Sequence, residues 1–120
     1  YVPSPREGAH DEALQPGQIE LFVEATDRAV LDYIDNITIA PNGHVIGCED
    51  RKIGTNHIKG VMPDGRIYTI ARNPEPHDED ETNNELAGVC FSPDGQTMFV
   101  NLYAPGMTVA ITGPWEAFRV

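Results

Sequence analysis

The chain has 120 residues and a formal net charge of −11, from 19 Asp and Glu against eight Lys and Arg. A nucleic-acid partner is not expected, because the sequence carries no basic patch to neutralise phosphates. No apolar run approaches the roughly 20 residues that a membrane span needs, so no span is expected either. The acidic balance is better suited to solubility or to divalent cations.

The predicted elements, taken along the chain, are all short strands. We expect a first strand at 18–24, then four at 36–40, 44–49, 57–62 and 66–71, and three more at 86–92, 97–102 and 107–112. Three Pro-(Asn/Asp)-Gly triplets, at 41–43, 63–65 and 93–95, separate neighbouring strands. Proline presets the turn, and Asn, Asp and Gly tolerate the left-handed backbone that a tight connection needs. The sequence therefore predicts an all-β chain of hairpins.

The strand at 86–92 is apolar on both of its alternating faces. A sheet with one face in water would show strict alternation of apolar and polar residues, so we expect this strand to be central and covered on both sides. Cys48 and Cys90 lie in apolar strands, and two cysteines do not make a disulfide framework. Both are expected to be small buried hydrophobes.

Two segments share one layout, "DNITIAPNGHVIGCED" at 35–50 and "ELAGVCFSPDGQTMFVN" at 85–101, with Gly43 and Gly95 52 positions apart. A repeat of four strands is typical of a β-propeller, whose blades take roughly 40–50 residues. We expect one blade at 35–71, the next from residue 86, and a mobile acidic loop at 74–84. A closed propeller needs at least about four blades, whereas 120 residues supply about two. We therefore expect the chain to be a fragment of a propeller. A free-standing β-sandwich is the alternative.

Polar residues stand at the ends of the repeated strands. In a propeller these ends meet at the rim of the central channel, where carboxylate and amide oxygens would suit Ca²⁺, which takes six to eight oxygen ligands. The alternative is that these residues cap turns by bonding to local backbone. The first candidates for metal ligands are Glu49, Asp50 and Glu85, followed by Asp35 and Asn36.

The stretch "GVCFSPDGQTMFVNLYAPGMTVAITGPW" resembles the C-terminal segment of the PhoX-type alkaline phosphatase family, and "YVPSPREG", "DNITIAPNGHVIGCED" and "NHIKGVMPDGRIYTIARN" are also similar to it. The resemblance implies a six-bladed propeller enzyme, periplasmic or extracellular, that hydrolyses phosphate monoesters with Ca²⁺ and Fe³⁺. Residues 1–120 would form the C-terminal portion of its single propeller domain. They would supply calcium ligands at the channel, whereas most iron ligands would lie in the rest of the same propeller. The catalytic residues are not identified in this chain, which we expect to be inactive alone.

Two other functions remain open. A calcium-dependent propeller acting on a lactone or a sugar would have the same ligands without iron. A non-catalytic secreted propeller binding protein would keep the strands and lose ligands elsewhere. The iron content of the intact protein distinguishes the first from a phosphatase, and the Arg and Glu residues upstream distinguish the second.

Overall fold

The computed structural model describes residues 1–52, 54–74 and 85–115. These contain seven strands and one 3₁₀ turn at Glu12–Leu14. The first sheet has four strands in chain order, β1 (Ile34–Ile39), β2 (Val45–Glu49), β3 (His57–Val61) and β4 (Ile67–Arg72), and the second has three, β5 (Leu86–Phe91), β6 (Thr97–Leu102) and β7 (Met107–Thr112). All neighbouring strands are antiparallel. The all-β prediction is confirmed, and neither sheet closes on itself within the described residues.

The three predicted turns join β1 to β2, β3 to β4 and β5 to β6. Their glycines have the positive φ that the Pro-(Asn/Asp)-Gly sequence predicts, at 85° for Gly43, 84° for Gly65 and 71° for Gly95. In each turn the glycine amide donates to the carbonyl three residues earlier, at 2.8–2.9 Å. Local turn chemistry therefore sets these three hairpins.

The prediction of a strand at 18–24 is wrong. Gln18 forms an isolated antiparallel bridge with Val2, and residues 19–24 are not in a strand. Apolar side chains in this segment, including Leu21 and Phe22, line a groove against the first sheet. Leu21 and Phe22 remain largely exposed, and the backbone of residues 19–24 pairs with neither sheet.

The core lies between the two sheets. Its buried members are Ala40, Ile46, Cys48, Ile58, Leu86, Val89, Met98 and Val100. Because β5 packs against β1 and β2, the start of the second sheet lies next to the start of the first. Cys48 is fully buried, as expected, and this burial raises the pKa of its thiol to about 11.

A β-bulge in β5 breaks the regular alternation of its two faces. Ala87 pairs with Asn101, but the next pair joins Cys90 to Phe99, so β5 has one extra residue. The bulge lets Leu86 and Val89 both enter the core, whereas Gly88 and Cys90 are exposed. The expectations of a central strand covered on both faces and of a buried Cys90 are therefore wrong, and β5 is the edge of its sheet.

The acidic loop predicted at 74–84 lies, apart from Pro74, outside the described residues.

Candidate metal centre

Three carboxylates meet where the two sheets begin. Asp35, Asp50 and Glu85 each offer one oxygen, and these atoms lie within 4.8 Å of one another. Asp35 belongs to β1, Asp50 directly follows β2, and Glu85 directly precedes β5. The site therefore draws on both sheets, and we refer to these residues as the acidic cluster.

A bulge in β1 positions Asp35. Ile34 pairs with Glu49 and the next pair joins Asn36 to Cys48, so Asp35 is an extra residue without a partner across the ladder. A bulge bends its strand and redirects the side chain at that point. Asp35 is thereby released from the alternation of β1 and joins the acidic cluster.

Backbone contacts position the other two members. The Asp50 amide donates to the Tyr33 carbonyl at 2.8 Å, and the Glu85 carbonyl accepts from the Tyr103 amide at 3.0 Å. Tyr33 has a φ of 48°, which is unusual for a bulky residue. Its bond to Asp50 helps to hold that conformation, so the chain just before β1 is fixed against the end of β2.

Crowding of negative charge affects the protonation of the cluster. Burial, followed by the Asp50 charge, raises the pKa of Asp35. Burial, followed by the charges of Asp50 and Asp35, raises the pKa of Glu85. The folded chain therefore brings the three carboxylates together against their mutual repulsion, and a bound cation would offset that repulsion.

The donor set fits one hard cation. Two ligands on opposite sides of a calcium ion are about 4.6–5.2 Å apart, because each Ca–O bond is roughly 2.3–2.6 Å long. No two of these oxygens in the acidic cluster are more than 4.8 Å apart, which is below the upper end of that range, so one ion can reach all three. The cluster offers oxygen donors alone, which suit Ca²⁺ or Mg²⁺ better than a soft metal.

The structure places Asn36 outside the acidic cluster. Its Oδ1 accepts a hydrogen bond from the Val89 amide at 2.8 Å. The bulge in β5 withdraws this amide from regular pairing, and Asn36 satisfies it from the other sheet. Asn36 thus connects the two sheets next to the cluster.

Glu49, a first candidate for a ligand, is also engaged elsewhere. Its side chain is fully buried, with Oε1 accepting from the Asp32 amide at 3.2 Å. Its Oε2 accepts from the His57 amide at 3.1 Å and lies 2.8 Å from His57 Nδ1. Successive side chains of an extended chain point to opposite sides. The Glu49 side chain therefore contacts Asp32 and His57, whereas the Asp50 side chain joins the acidic cluster. The sequence did not indicate His57 as the partner of Glu49.

The fold and the acidic cluster define an all-β protein with an oxygen-donor site suited to a hard cation. The chain belongs to the alkaline phosphatase PhoX family, because the model of that family matches residues 7–106. The predicted resemblance is therefore confirmed, and membership indicates a phosphatase-type function. A search of curated proteins and a search of solved structures each gave no match. Among the described residues, no helix has the length and apolar character needed to cross a bilayer.

Proposed function

We propose that this chain is part of a metal-dependent phosphatase that hydrolyses phosphate monoesters, and that Asp35, Asp50 and Glu85 hold a calcium ion. The observation that carries this proposal is the convergence of these three carboxylates, from separate parts of the chain, within a segment that matches the family. Chance acidic pairs on one turn would not join the two sheets in this way.

The charge of the chain supports a bound cation. A phosphate ester is anionic, and a protein segment with a net charge of −11 repels it. A cation held by the acidic cluster would supply positive charge and polarise a phosphoryl oxygen. Arg51, next to Asp50, is already paired with Asp32 at 3.4 Å and donates to the Arg28 carbonyl. The role of the three carboxylates is to bind and orient the ion, with Asp50 fixed by its amide bond to Tyr33.

The proposal also covers the domain to which the chain belongs, its location and the residues beside the ion. Residues 1–120 form part of one propeller domain, with a blade at 35–71, an acidic loop at 74–84 and a second blade from 86, and the rest of the propeller carries most ligands of the iron. We propose a periplasmic or extracellular location, where millimolar calcium suits an oxygen site of modest affinity. Glu49 and Asn36 support the site through their hydrogen bonds and do not bind the ion.

The test uses the natural chain that contains these residues. Asp50→Asn and Glu85→Gln should each lower calcium content, measured by mass spectrometry of metals, together with hydrolysis of p-nitrophenyl phosphate. Asp64→Asn is the matched control, because Asp64 is an exposed turn residue paired with Arg66 and its replacement repeats the Pro-Asn-Gly turn at 41–43.

Normal calcium content in both cluster variants would refute the assigned ligands. A calcium-dependent lactonase activity without phosphate-ester hydrolysis would refute the phosphatase assignment instead. Calcium binding with neither activity would favour the non-catalytic binding protein.

A further inference from the structure

Two exposed tyrosines border the acidic cluster. The Tyr33 carbonyl accepts from the Asp50 amide at 2.8 Å, and the Tyr103 amide donates to the Glu85 carbonyl at 3.0 Å. Tyr33 is 55% exposed and Tyr103 is 63% exposed. Tyr33 directly precedes β1 and Tyr103 directly follows β6. Both therefore lie at the end of the sheets that carries the cluster, and not on a sheet face that a neighbouring blade would cover.

Neither the backbone nor packing explains a tyrosine at position 33. Its φ of 48° lies in the left-handed region, which Gly and Asn adopt at a lower cost than a bulky residue does. Because more than half of Tyr33 is exposed, burial of its ring offsets little of that cost. Residues held in such conformations occur most often at functional sites. The strain and the exposure together indicate that the ring has a role at the cluster.

Arg28 gives this ring a cationic neighbour. Its guanidinium carbon lies 5.8 Å from the centroid of the Tyr33 ring, which is within the range of a cation–π contact. The Arg28 side chain is 79% exposed, and its Nε lies 3.9 Å from Asp32 Oδ1, where an exposed ion pair contributes little. A positive charge next to Tyr33 favours the approach of an anionic ester to a chain with a net charge of −11. Aromatic rings and guanidinium planes are both groups on which planar rings stack.

We propose that Tyr33 stacks on a planar ring in the leaving group of the phosphate ester, so that the site prefers nucleoside 5′-monophosphates to sugar phosphates without a base. The inference rests on the proposed phosphatase function and adds its substrate class. The phosphoryl end is held at the acidic cluster, and the base lies against the Tyr33 ring. Every base has a π face, so stacking selects a planar group and not one particular base.

The test compares adenosine 5′-monophosphate with ribose 5-phosphate as substrates of the natural chain that contains these residues, in calcium. The two esters have the same leaving oxygen on the ribose, and only the first carries a base. Tyr33→Asn should lower the ratio of their kcat/KM values, nucleotide over sugar phosphate, roughly 5- to 100-fold, the range for loss of one stacking partner. Tyr33→Phe keeps the ring and should keep the ratio. Tyr1→Asn is the matched control, because Tyr1 is also exposed and its ring lies beside Gly17 in the N-terminal segment.

Thermal unfolding separates recognition from packing. Asn tolerates a positive φ, so Tyr33→Asn should unfold at the temperature of the parent or above it. A lower unfolding temperature with an unchanged ratio would overturn the proposal and make the ring a packing residue. An equal fall in kcat/KM for both esters would also overturn it, because Tyr33 would then only position Asp50. Hydrolysis of neither ester by the parent would refute the proposed function and this inference with it, whereas hydrolysis of both at one ratio in every protein would refute this inference alone.

Discussion

Replacing Asp50 by Asn should have opposite effects on stability with and without calcium. Two carboxylates up to 4.8 Å apart repel by about 1 kcal/mol at the dielectric constant of water and by about 3.5 kcal/mol at an effective value of 20. Asp35 is exposed and the other two are half-buried, so the lower value applies more closely. Asp50→Asn removes two of the three repulsions and should stabilise the protein in EGTA by about 1–2 kcal/mol.

Calcium should reverse that order. At one hundred times the dissociation constant, one bound ion adds about 2.7 kcal/mol to the free energy of unfolding, which exceeds the roughly 1–2 kcal/mol that the variant gains in EGTA. The variant has two carboxylates at the site and should gain much less. Urea unfolding of both proteins in EGTA, in calcium and in NaCl of matched ionic strength measures the difference in free energy of unfolding between variant and parent in each solution.

The result that would refute this reasoning is a variant that is less stable than the parent in EGTA and gains the same stability in calcium. Such a result would make Asp50 a structural residue. A gain in NaCl equal to that in calcium would instead reduce the effect to charge screening.

Three further predictions concern the surroundings of the site. Asp35 and Glu85 have raised pKa values in the folded chain, so in EGTA they stabilise the fold below about pH 4, and this stabilisation is lost as pH rises through the raised pKa values. Urea unfolding from pH 4 to 8 should show this loss in the parent. The Asp35→Asn/Glu85→Gln protein should not show it. Glu49→Gln should cost about 3 kcal/mol in urea unfolding, since it leaves a buried donor opposite the His57 amide, and a cost below about 1 kcal/mol would contradict the assigned bonds. Gly88→Ala should destabilise the protein more than Gly43→Ala does. Both glycines have a positive φ, but only at residue 88 would the added methyl lie 2.5 Å from Asn101 Nδ2. Equal losses of stability would contradict the bulge.

Local chemistry made the strands and turns predictable. Each Pro-(Asn/Asp)-Gly triplet sets a turn within four or five residues, and the seven strands that flank or follow these turns lie within two residues of the predicted bounds at either end. The segment at 18–24 has similar apolar residues, but among the described residues only Gln18 of this segment pairs, in an isolated bridge with Val2. The sequence of residues 19–24 could not indicate whether they pair, because pairing depends on distant parts of the chain.

The acidic cluster was predictable in composition and not in detail. Asp35, Asp50 and Glu85 stand at strand ends, as the sequence predicts, but Asn36 and Glu49 have the same kind of position. The bulge in β1 and the direction of the backbone after β2 decide which of these side chains join the acidic cluster and which bond elsewhere. Both depend on pairing across the sheet, which single residues do not encode.

The extra residue in β5 also acts as a spacer for the cluster. Glu85 lies before the bulge, whereas Val89, held by Asn36, lies within it. A strand advances about 3.3 Å per residue, so deleting Gly88 while Val89 stays bound would pull Glu85 along the strand by that distance. In the proposed calcium site, a calcium–oxygen bond of about 2.3–2.6 Å would not stretch to follow it. The length of β5 therefore sets how far the Glu85 carboxylate reaches toward the other sheet, and a one-residue deletion would withdraw it from the acidic cluster without changing any residue of the cluster.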